Sequence, residues 1–436
     1  MPLRAMQRDG RLLGAFADAE RRHYLGLVDG AIRDVQLSRD GQSMAAEFPM
    51  LAIDEREMVE QYGISLDGLP KDLVVEGRGL TTFVVGPVHA GIIEPGRFTF
   101  HSGGESIVHL EAQFGFSHRG VESFLEGRDA VASAWHVARI CGGCSVARSW
   151  SYARVLESFH ALAIDEASEF ARMICAELER AYNHIFDLGV AAAGAGYGFG
   201  LTRALELKER FARINARAFG HRYLFDAVLP GGIRAESLND RRALRSDLRA
   251  LRDDVEKFAE QLFGHHELMS RFSRAGVLPY ETAVAFGAVG PALRASGGTF
   301  DVRCDASYGR YAQISPIRAT AHDGDVASRV RVKYDELRES MRLIDVAFDE
   351  LGDRPIPLPQ HVRAIAGDGS AMTEGPRGAE ILSLRTDQQG RVQRLHVISA
   401  SYRNWPLVTR AMEGNIVPDF PLVNKSFNLC YACGDR

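Results

Sequence analysis

Four of the six cysteines in this 436-residue chain form two C-x-x-C pairs, Cys141/Cys144 and Cys430/Cys433. Two such pairs supply four thiolates, a ligand set that suits zinc, iron-sulfur clusters, or nickel with iron. Nearly two-thirds of the chain separates the pairs, whereas structural zinc modules usually close short loops. If the four sulfurs share a metal, the fold must bring residues 430–433 into the interior beside residues 141–144.

The composition excludes several functional classes. The chain is 46% hydrophobic and 25% charged, which is typical of a globular protein. A formal net charge of -5 without a basic stripe argues against nucleic-acid binding. The sequence has no apolar run near the roughly 18 to 20 residues of a membrane-spanning helix and no secretory signal. We therefore expect a cytoplasmic chain, which can still dock onto a membrane complex through a partner subunit.

Hydrophobic periodicity predicts an α+β fold that is mainly helical. Helices are predicted at residues 11–27, 131–138, 149–162, 166–188, 201–219, 241–263 and 325–351. Strands are predicted at residues 81–85, 97–101, 106–110, 379–385 and 394–400, with 97–101 and 106–110 forming a hairpin. The glycine-rich residues 194–200 lack the Lys and Ser/Thr of a P-loop, so they indicate a loop that ends a helix. Cys175 and Cys304 are interpreted as small buried hydrophobic residues.

Around the cysteine pairs the sequence resembles nickel-iron hydrogenase large subunits. The two signatures are Arg139-Ile-Cys-Gly-Gly-Cys-Ser145 and Cys430-Tyr-Ala-Cys-Gly-Asp-Arg436. Further matching segments lie in the expected order: Gly86-Pro-Val-His89, Glu94-Pro-Gly96, Gly115 to Glu122, Glu177-Leu-Glu-Arg180, Asn183-His184, Pro230 to Arg234 and Glu374-Gly-Pro-Arg-Gly378. The match spans residues 81–436 and is most similar to the energy-converting branch, which includes formate hydrogenlyase and is related to respiratory complex I. It implies the large-subunit fold with a β hairpin region near its N-terminal end.

The resemblance implies a nickel-iron centre whose iron carries carbon monoxide and cyanide ligands. Cys141 and Cys430 would bind nickel alone, and Cys144 and Cys433 would bridge nickel to iron. Dihydrogen would be cleaved or formed heterolytically there, with Cys430 as the nearby proton acceptor. Thiolate ligation suits this role, because a metal-bound sulfur is deprotonated yet basic enough to take up a proton.

Four other residues receive roles from the same resemblance. Glu94 takes the position of a proton relay, which requires a buried carboxylate of raised pKa; by itself, a Glu before Pro-Gly is typical of a surface loop. Arg377 matches an arginine that lies over the metals and donates charge-assisted hydrogen bonds, although alone it would be an ordinary loop arginine. Ser399 and Ser401 are predicted to face the cyanides.

Three features depart from the family pattern without removing a metal ligand. Arg148 stands where a histidine is common, Gly143 fills a position that is often apolar, and Asn428-Leu429 replaces a frequent Asp-Pro. Glu122 matches a residue linked to a second metal. Arg436 replaces the histidine that often helps to bind that metal, so we predict no second metal.

The resemblance also predicts domains and partners. Residues 1–78 are expected to form an N-terminal region, because residues 48–57 and 61–64 resemble the tail of a hydrophilic complex I subunit, and residues 79–436 the catalytic domain. A weakly marked break is predicted between Asp72 and Gly79. Since only two other cysteines remain, an iron-sulfur small subunit is implied as electron partner. A maturation protease and a membrane-bound multisubunit complex, with this chain peripheral on the inner face of the cell membrane, are implied as well.

Two alternatives stay open. The first is a complex I-like, quinone-associated electron-transfer subunit without hydrogenase activity, in which the cysteines are lost; Ile93 stands where those relatives have a histidine. The second is a zinc-stabilised scaffold, which explains the thiols but not the ordered motifs between them. Both the metal centre and the hydrogenase activity require the four sulfurs to converge in the folded chain.

Overall fold

The computed structural model describes residues 2–8, 10–71, 75–91, 93–234 and 238–436. Its helices are α1 (Pro2–Arg8), α2 (Ala52–Tyr62), α3 (Val121–Leu125), α4 (Ala130–Ala138), α5 (Ser145–Phe159), α6 (Glu166–Gly194), α7 (Gly198–Phe219), α8 (Arg241–Phe263), α9 (His266–Phe272), α10 (Tyr280–Ala285), α11 (Gly290–Arg294), α12 (Val302–Asp305), α13 (Tyr311–Ile314), α14 (Val326–Leu351), α15 (Ala400–Met412), α16 (Phe420–Phe427) and α17 (Tyr431–Asp435). Short 3-10 helices lie at Pro49–Leu51 and Val417–Asp419.

The strands are β1 (Gly10–Ala17), β2 (Arg21–Val28), β3 (Ala31–Ser38), β4 (Gly41–Gln42), β5 (Leu66–Asp67), β6 (Leu80–Val85), β7 (Arg97–Gly103), β8 (Ser106–Gln113), β9 (Val228–Leu229), β10 (Gly232–Ile233), β11 (Gly367–Gly375), β12 (Gly378–Thr386) and β13 (Val392–Ile398). They form three small antiparallel sheets, β1-β2-β3, β6-β7-β8 and β11-β12-β13, and two short pairs. The predicted α+β, mainly helical fold is confirmed. None of these helices is long and apolar enough to cross a bilayer.

The longest helix, α6, forms the centre of the fold and packs against α7 and α14. Its first turn is capped by Asp165, whose side chain accepts hydrogen bonds from the backbone amides of Ala167 and Ser168. Nearly all of its residues from 167 to 192 are buried, so the helix is enclosed by the other elements. Residues four positions apart along it share one face, which gives the core a straight row of side chains.

A buried ionic network joins α6 to α14. Arg303 contacts Glu177 of α6 at 3.1 Å and Asp301 at 2.8 Å, and Arg294 contacts Glu336 of α14 at 2.8 Å. All five side chains are at most 1% exposed. Burial alone would raise the pKa of Glu177, but the neighbouring guanidinium groups hold it at about 2. The network therefore keeps its charges and fixes how the two helices sit against each other.

Most predicted elements are present near their predicted positions. The hairpin of residues 97–101 and 106–110 corresponds to β7 and β8, with Phe100 opposite Leu110. The strands at 379–385 and 394–400 correspond to β12 and β13, and the glycine-rich segment contains the loop that ends α6. Cys175 is buried as predicted, whereas Cys304 is half-buried.

The helix predicted for residues 11–27 is wrong. This segment forms the antiparallel strands β1 and β2, with Ala15 opposite Tyr24. Asp18 makes the turn between them, because its side chain accepts hydrogen bonds from the backbone amides of Glu20 and Arg21. Glycines inside the segment also disfavour a helix.

The N-terminal region packs onto the rest of the chain. Arg403 of α15 forms an ion pair with Asp54 of α2 and donates a hydrogen bond to the Met50 carbonyl oxygen. Arg11 of β1 donates to the Ala288 carbonyl oxygen. The predicted break between residues 72 and 79 falls partly on residues 72–74, outside the described residues. The division at residues 78 and 79 stays a prediction.

Candidate metal centre

The first cysteine pair lies in the turn between α4 and α5. The structure begins α5 at Ser145, four residues earlier than predicted, so Cys144 directly precedes the helix. The backbone amide of Gly143 donates a hydrogen bond to the Cys141 sulfur at 3.3 Å. This hydrogen bond and the N-terminal end of the α5 dipole favour negative charge on the sulfur atoms of this turn. The local backbone therefore prepares this pair to bind a cation.

The second pair flanks the start of α17. Asn428 ends α16 in the left-handed conformation, with φ of 50°, and turns the chain toward the interior. The Cys430 amide donates a hydrogen bond to Ser401 Oγ, and Ser399 Oγ donates to the Cys433 carbonyl oxygen, both at 3.0 Å. The two serines that were predicted to face the cyanides thus hold the backbone of this pair. Their contact with cyanide stays a prediction.

The two pairs converge on one centre. All four sulfur atoms lie within 4.8 Å of one another, and the Cys144 and Cys433 sulfurs are 3.9 Å apart. Cys141, Cys144 and Cys433 are buried, and Cys430 is half-buried. Since a metal-sulfur bond to zinc is about 2.3 Å long, sulfurs at these separations can share metal ions. The predicted convergence is confirmed, while the assignment of each cysteine as a metal ligand stays a prediction.

The four thiols change each other's ionisation. Hydrogen bonds from the other three thiols hold the pKa of Cys141 well below its usual range. The same contacts, beginning with Cys141, raise the pKa of Cys144, and burial raises the pKa of Cys433. One thiolate therefore forms readily in the metal-free centre, and further thiolates require a cation. Metal binding at such a site releases protons.

Arg377 lies beside the second cysteine pair, and its predicted place over bound metals stays a prediction. Its side chain is buried, and each of its three nitrogen atoms donates to the protein: Nε to the Asn428 carbonyl oxygen, and the two terminal nitrogens to Asn183 and Asp187, all within 3.0 Å. Burial lowers its pKa, but Asp187 and the thiol of Cys430 outweigh burial, so the pKa is raised overall. The guanidinium is therefore a fixed positive charge beside the second cysteine pair.

Two buried carboxylates near the centre were not predicted as site residues from the sequence. Glu179 accepts hydrogen bonds from the amides of Val146 and Ala147 at 2.7 and 3.1 Å, and burial raises its pKa to about 8. Glu380 accepts from the Ala400 amide at 3.1 Å, and burial raises its pKa as well. The four-residue spacing of Glu179, Asn183 and Asp187 on α6 was the signal that could have identified the first.

Glu94 has a different environment from the one that the relay role requires. Its loop contacts Tyr431: a Cβ atom at Gly96 would lie 2.5 Å from that ring. The side chain of Glu94 is nevertheless exposed, as is Ile93. The carboxylate therefore lies in solvent in the single chain, and the general expectation for a Glu before Pro-Gly holds there.

Arg436 occupies the place of a cation near Glu122. One terminal nitrogen of Arg436 contacts Glu122 at 3.2 Å and the Val397 carbonyl oxygen at 3.0 Å, and the other contacts Glu57. Glu57, Glu122 and His396 could otherwise hold a metal ion together. The guanidinium compensates the two carboxylates directly.

The residues at the cysteine centre fit a nickel-iron group. The donor set is four thiols, which soft and borderline metals prefer. Gly143 lets the backbone approach these sulfurs, because a Cβ atom there would lie 3.2 Å from Asn183 Oδ1 and 3.7 Å from the sulfurs of both Cys141 and Cys430. Two terminal nitrogens of the buried Arg148 also lack a hydrogen-bond partner among the described residues. The thiols and these unpaired donors are compatible with a metal group that carries acceptor atoms of its own.

Comparison with known proteins identifies the family. The profile described as "Respiratory-chain NADH dehydrogenase, 49 Kd subunit" matches residues 196–366 and 356–436. The chain belongs to this family of oxidoreductase subunits. Members in this comparison include both hydrogenase subunits and complex I subunits.

Several relatives are named as hydrogenases. Formate hydrogenlyase subunit 5 of Escherichia coli (strain K12) is 29% identical over 81% of this chain and 62% of its own length, so the chain spans less than two-thirds of that relative. The carbon monoxide-induced hydrogenase of Rhodospirillum rubrum is 29% identical over 81% of this chain and 99% of its own length. The predicted resemblance to large subunits of energy-converting nickel-iron hydrogenases is thereby confirmed.

Other relatives belong to quinone-reducing and sulfur-reducing complexes. An NADH-quinone oxidoreductase subunit of Herpetosiphon aurantiacus is 26% identical over 81% of this chain and 97% of its own length. A chain of the membrane-bound sulfane sulfur reductase, an archaeal respiratory membrane complex, superposes with a TM-score of 0.76 at 23% identity and covers 83% of this chain and 100% of its own. This structural likeness establishes the fold alone.

Proposed function

We propose that this chain is the catalytic large subunit of a nickel-iron hydrogenase, which cleaves or forms dihydrogen. The observation that carries the proposal is the convergence of Cys141/Cys144 with Cys430/Cys433 on one buried centre. Four thiolates suit nickel and iron, and the relatives named as hydrogenases support this activity. In this proposal Cys141, Cys144, Cys430 and Cys433 would hold the nickel-iron group, whose iron would carry carbon monoxide and cyanide.

The surrounding residues give the centre its chemical environment. When bound, the nickel-iron group would supply the heterolytic cleavage of dihydrogen. Three of the four cysteines are buried, so the protein keeps water away from them, while Cys430 is half-buried. Cys430 is therefore the sulfur best placed to accept a proton that has to leave the centre. Arg377 is held beside it by three hydrogen bonds and has further N–H groups to donate.

We assign the next step of proton transfer to Glu94, on the loop that contacts Tyr431 beside Cys430. Its carboxylate is exposed in the single chain, so the relay requires a partner that covers this loop. An iron-sulfur small subunit, which would also accept the electrons, is the partner that we propose. We further propose a maturation protease as a transient partner, and a peripheral position on the inner face of the cell membrane within a multisubunit complex.

The competing function is that of a complex I-like, quinone-associated subunit. Relatives of that kind align over as much of the chain as the hydrogenases do. Such a subunit has no use for four converging thiols. The two functions therefore differ in one measurable property, which is the metal content of the chain.

Metal analysis of the purified complex tests the proposal. We expect nickel and iron in the large subunit, together with infrared bands of bound carbon monoxide and cyanide. Replacement of Cys433 by Ser should abolish the bands, whereas replacement of Cys175 by Ser, a buried cysteine outside the four-cysteine cluster, should leave them unchanged. A wild-type complex that lacks iron, or that holds zinc alone, would refute the hydrogenase assignment.

The Glu94→Gln variant tests the relay. We expect slower hydrogen turnover with unchanged nickel and iron content, because the amide keeps the shape of the side chain but cannot carry the proton. Hydrogen-deuterium exchange at the metals, measured with the same variant, separates proton transfer from electron transfer. An exposed control, Glu60→Gln, should turn over hydrogen at the wild-type rate. Wild-type turnover in Glu94→Gln would remove Glu94 from the relay.

A further inference from the structure

Arg148 is a buried arginine beside the cysteine centre. It lies in the first turn of α5, where its backbone amide donates to the Cys144 carbonyl oxygen at 3.2 Å. Its side chain is 1% exposed. Its guanidinium lies close enough to the sulfurs of Cys433, Cys144 and Cys141 to interact with them electrostatically, and negative charge on these sulfurs and on Glu380 raises its pKa against the effect of burial. The guanidinium therefore acts on cysteines of both pairs, although it belongs to the segment of the first.

The guanidinium of Arg148 is only partly satisfied by the protein. Nε donates to Glu380 Oε2 at 3.2 Å, and one terminal nitrogen contacts the same oxygen at 3.2 Å. Neither terminal nitrogen has a hydrogen-bond partner within the described part of the chain. A guanidinium has five N–H groups, and unmet buried donors cost free energy. Most of the donors of Arg148 are thus available to an acceptor at the centre.

Arg377 provides an internal comparison. It is also buried beside the thiols, but each of its nitrogens donates to a protein oxygen. Asp187 balances its charge at 2.8 Å. Arg148 has only Glu380 as a counter-ion among the described residues, and that carboxylate is also bound to the Ala400 amide. The two arginines are therefore not equivalent: each nitrogen of Arg377 has a protein acceptor, whereas the two terminal nitrogens of Arg148 have none among the described residues.

We propose that Arg148 is a positioning residue of the metal centre, whose terminal N–H groups donate to the thiolates of Cys433 and Cys144 once metals are bound. This inference rests on the proposed nickel-iron function. A permanent positive charge and hydrogen bonds at a ligating sulfur withdraw electron density from it, which raises the reduction potential of the metal. The common histidine at this position would be charged only part of the time near neutral pH. Arg148 makes the charge constant.

Infrared spectroscopy and redox titration of the whole complex test this inference. In Arg148→Gln, which removes the charge, we expect the carbon monoxide and cyanide bands to shift to lower wavenumber and the midpoint potential to fall. Arg148→Lys keeps the charge and should restore both toward wild type. Arg154→Gln changes an arginine of the same helix that donates to the Met372 carbonyl oxygen, and it should leave both unchanged.

The possible outcomes separate this inference from the proposed function. A wild-type complex without the bands refutes the function and the inference together. Bands in the wild type that stay unchanged in a metal-loaded Arg148→Gln overturn the role of Arg148 alone. If Arg148→Gln loses its metals, retention of metals and wild-type bands in Arg148→Lys supports the charge requirement. Loss of metals in both variants overturns it, because a merely structural role explains that result.

Discussion

Burial changes the chemistry of single residues around the centre, and Glu179 shows this most clearly. Its carboxylate lies on α6 and accepts hydrogen bonds from two amides at the start of α5. Those bonds favour the charged form, but burial outweighs them and raises the pKa to about 8. Near neutral pH, Glu179 in the metal-free chain is therefore mostly protonated, with consequences for stability.

The pH dependence of stability follows from this shift. The pKa is about 8 in the folded chain against a usual value of 4.5, so the folded state holds a proton that the unfolded state has lost. The protonated Glu179 therefore makes its full contribution to the free energy of unfolding below about pH 4.5. That contribution declines as the pH rises toward 8, by up to about 1.4 kcal/mol per pH unit. Urea unfolding of the metal-free chain should show that Glu179→Gln lacks this decline.

An exposed glutamate provides the control for this measurement. Glu60→Gln replaces an exposed carboxylate and should retain the wild-type slope. Equal slopes in wild type and Glu179→Gln would contradict the raised pKa.

The sequence predicted the four cysteines that converge and, through the resemblance, Arg377, but it did not predict the buried carboxylates Glu179 and Glu380 beside them. A C-x-x-C spacing restricts two sulfurs to one turn, so both pairs could be recognised without a structure. The terminal nitrogens of Arg148 that lack a partner could not be predicted from the sequence. Whether they find one depends on which groups of β12 lie against α5, and that contact joins residues far apart in the chain. For Glu94 the sequence supported two conflicting predictions. The Pro-Gly that follows it predicted an exposed side chain, whereas the family motif predicted a buried one. In the single chain the side chain is exposed.

Among the elements, α17 depends most on contacts with distant segments. The Asp435 carboxylate accepts hydrogen bonds from the amides of Gly115 and Ser117 at 2.7 and 2.9 Å. The Arg119 amide donates to the Arg436 carbonyl oxygen at 2.9 Å. A five-residue helix has little stability of its own, so these bonds keep Cys433 at the centre.

Replacement of Asp435 by Ala should loosen this helix. Two charge-assisted hydrogen bonds are lost, each worth roughly 1.5 to 3 kcal/mol, and we expect faster amide exchange at residues 430–436 and weaker metal retention. Asp387→Ala provides a matched control, because Asp387 also accepts from two backbone amides, those of Gln389 and Arg391, in an exposed turn. Its replacement should not change exchange at the cysteines. Unchanged exchange in Asp435→Ala would show that other contacts hold α17.

The elements were predicted well where local signals agree. Residues 241–263 have the predicted bounds in α8, since strong amphipathic spacing and the Asp240 cap act together. The helix predicted for residues 11–27 was wrong because the side chain of Asp18 forms a turn in the middle of this segment. The early start of α5 also escaped prediction, because Cys144 is an unusual residue to precede a helix.

At the scale of the whole molecule, the buried ionic network determines how α6 and α14 are placed. Replacement of Arg303 by Ala leaves Glu177 and Asp301 without their main counter-ion. We expect a loss of about 3 to 5 kcal/mol in unfolding free energy, the usual cost of an uncompensated buried charge. Arg217→Ala breaks an exposed pair with Asp247 and should cost about 1 kcal/mol or less. Similar losses in the two variants, measured by chemical denaturation, would contradict this account.

The two cysteine pairs are more than 280 residues apart in the sequence, and this separation affects biosynthesis. While a ribosome is still translating the middle of the message, the emerging polypeptide carries only Cys141 and Cys144, half of the sulfur needed. A centre that uses all four thiols can therefore close only after residues 430–433 have been translated and have folded into place beside Cys141 and Cys144.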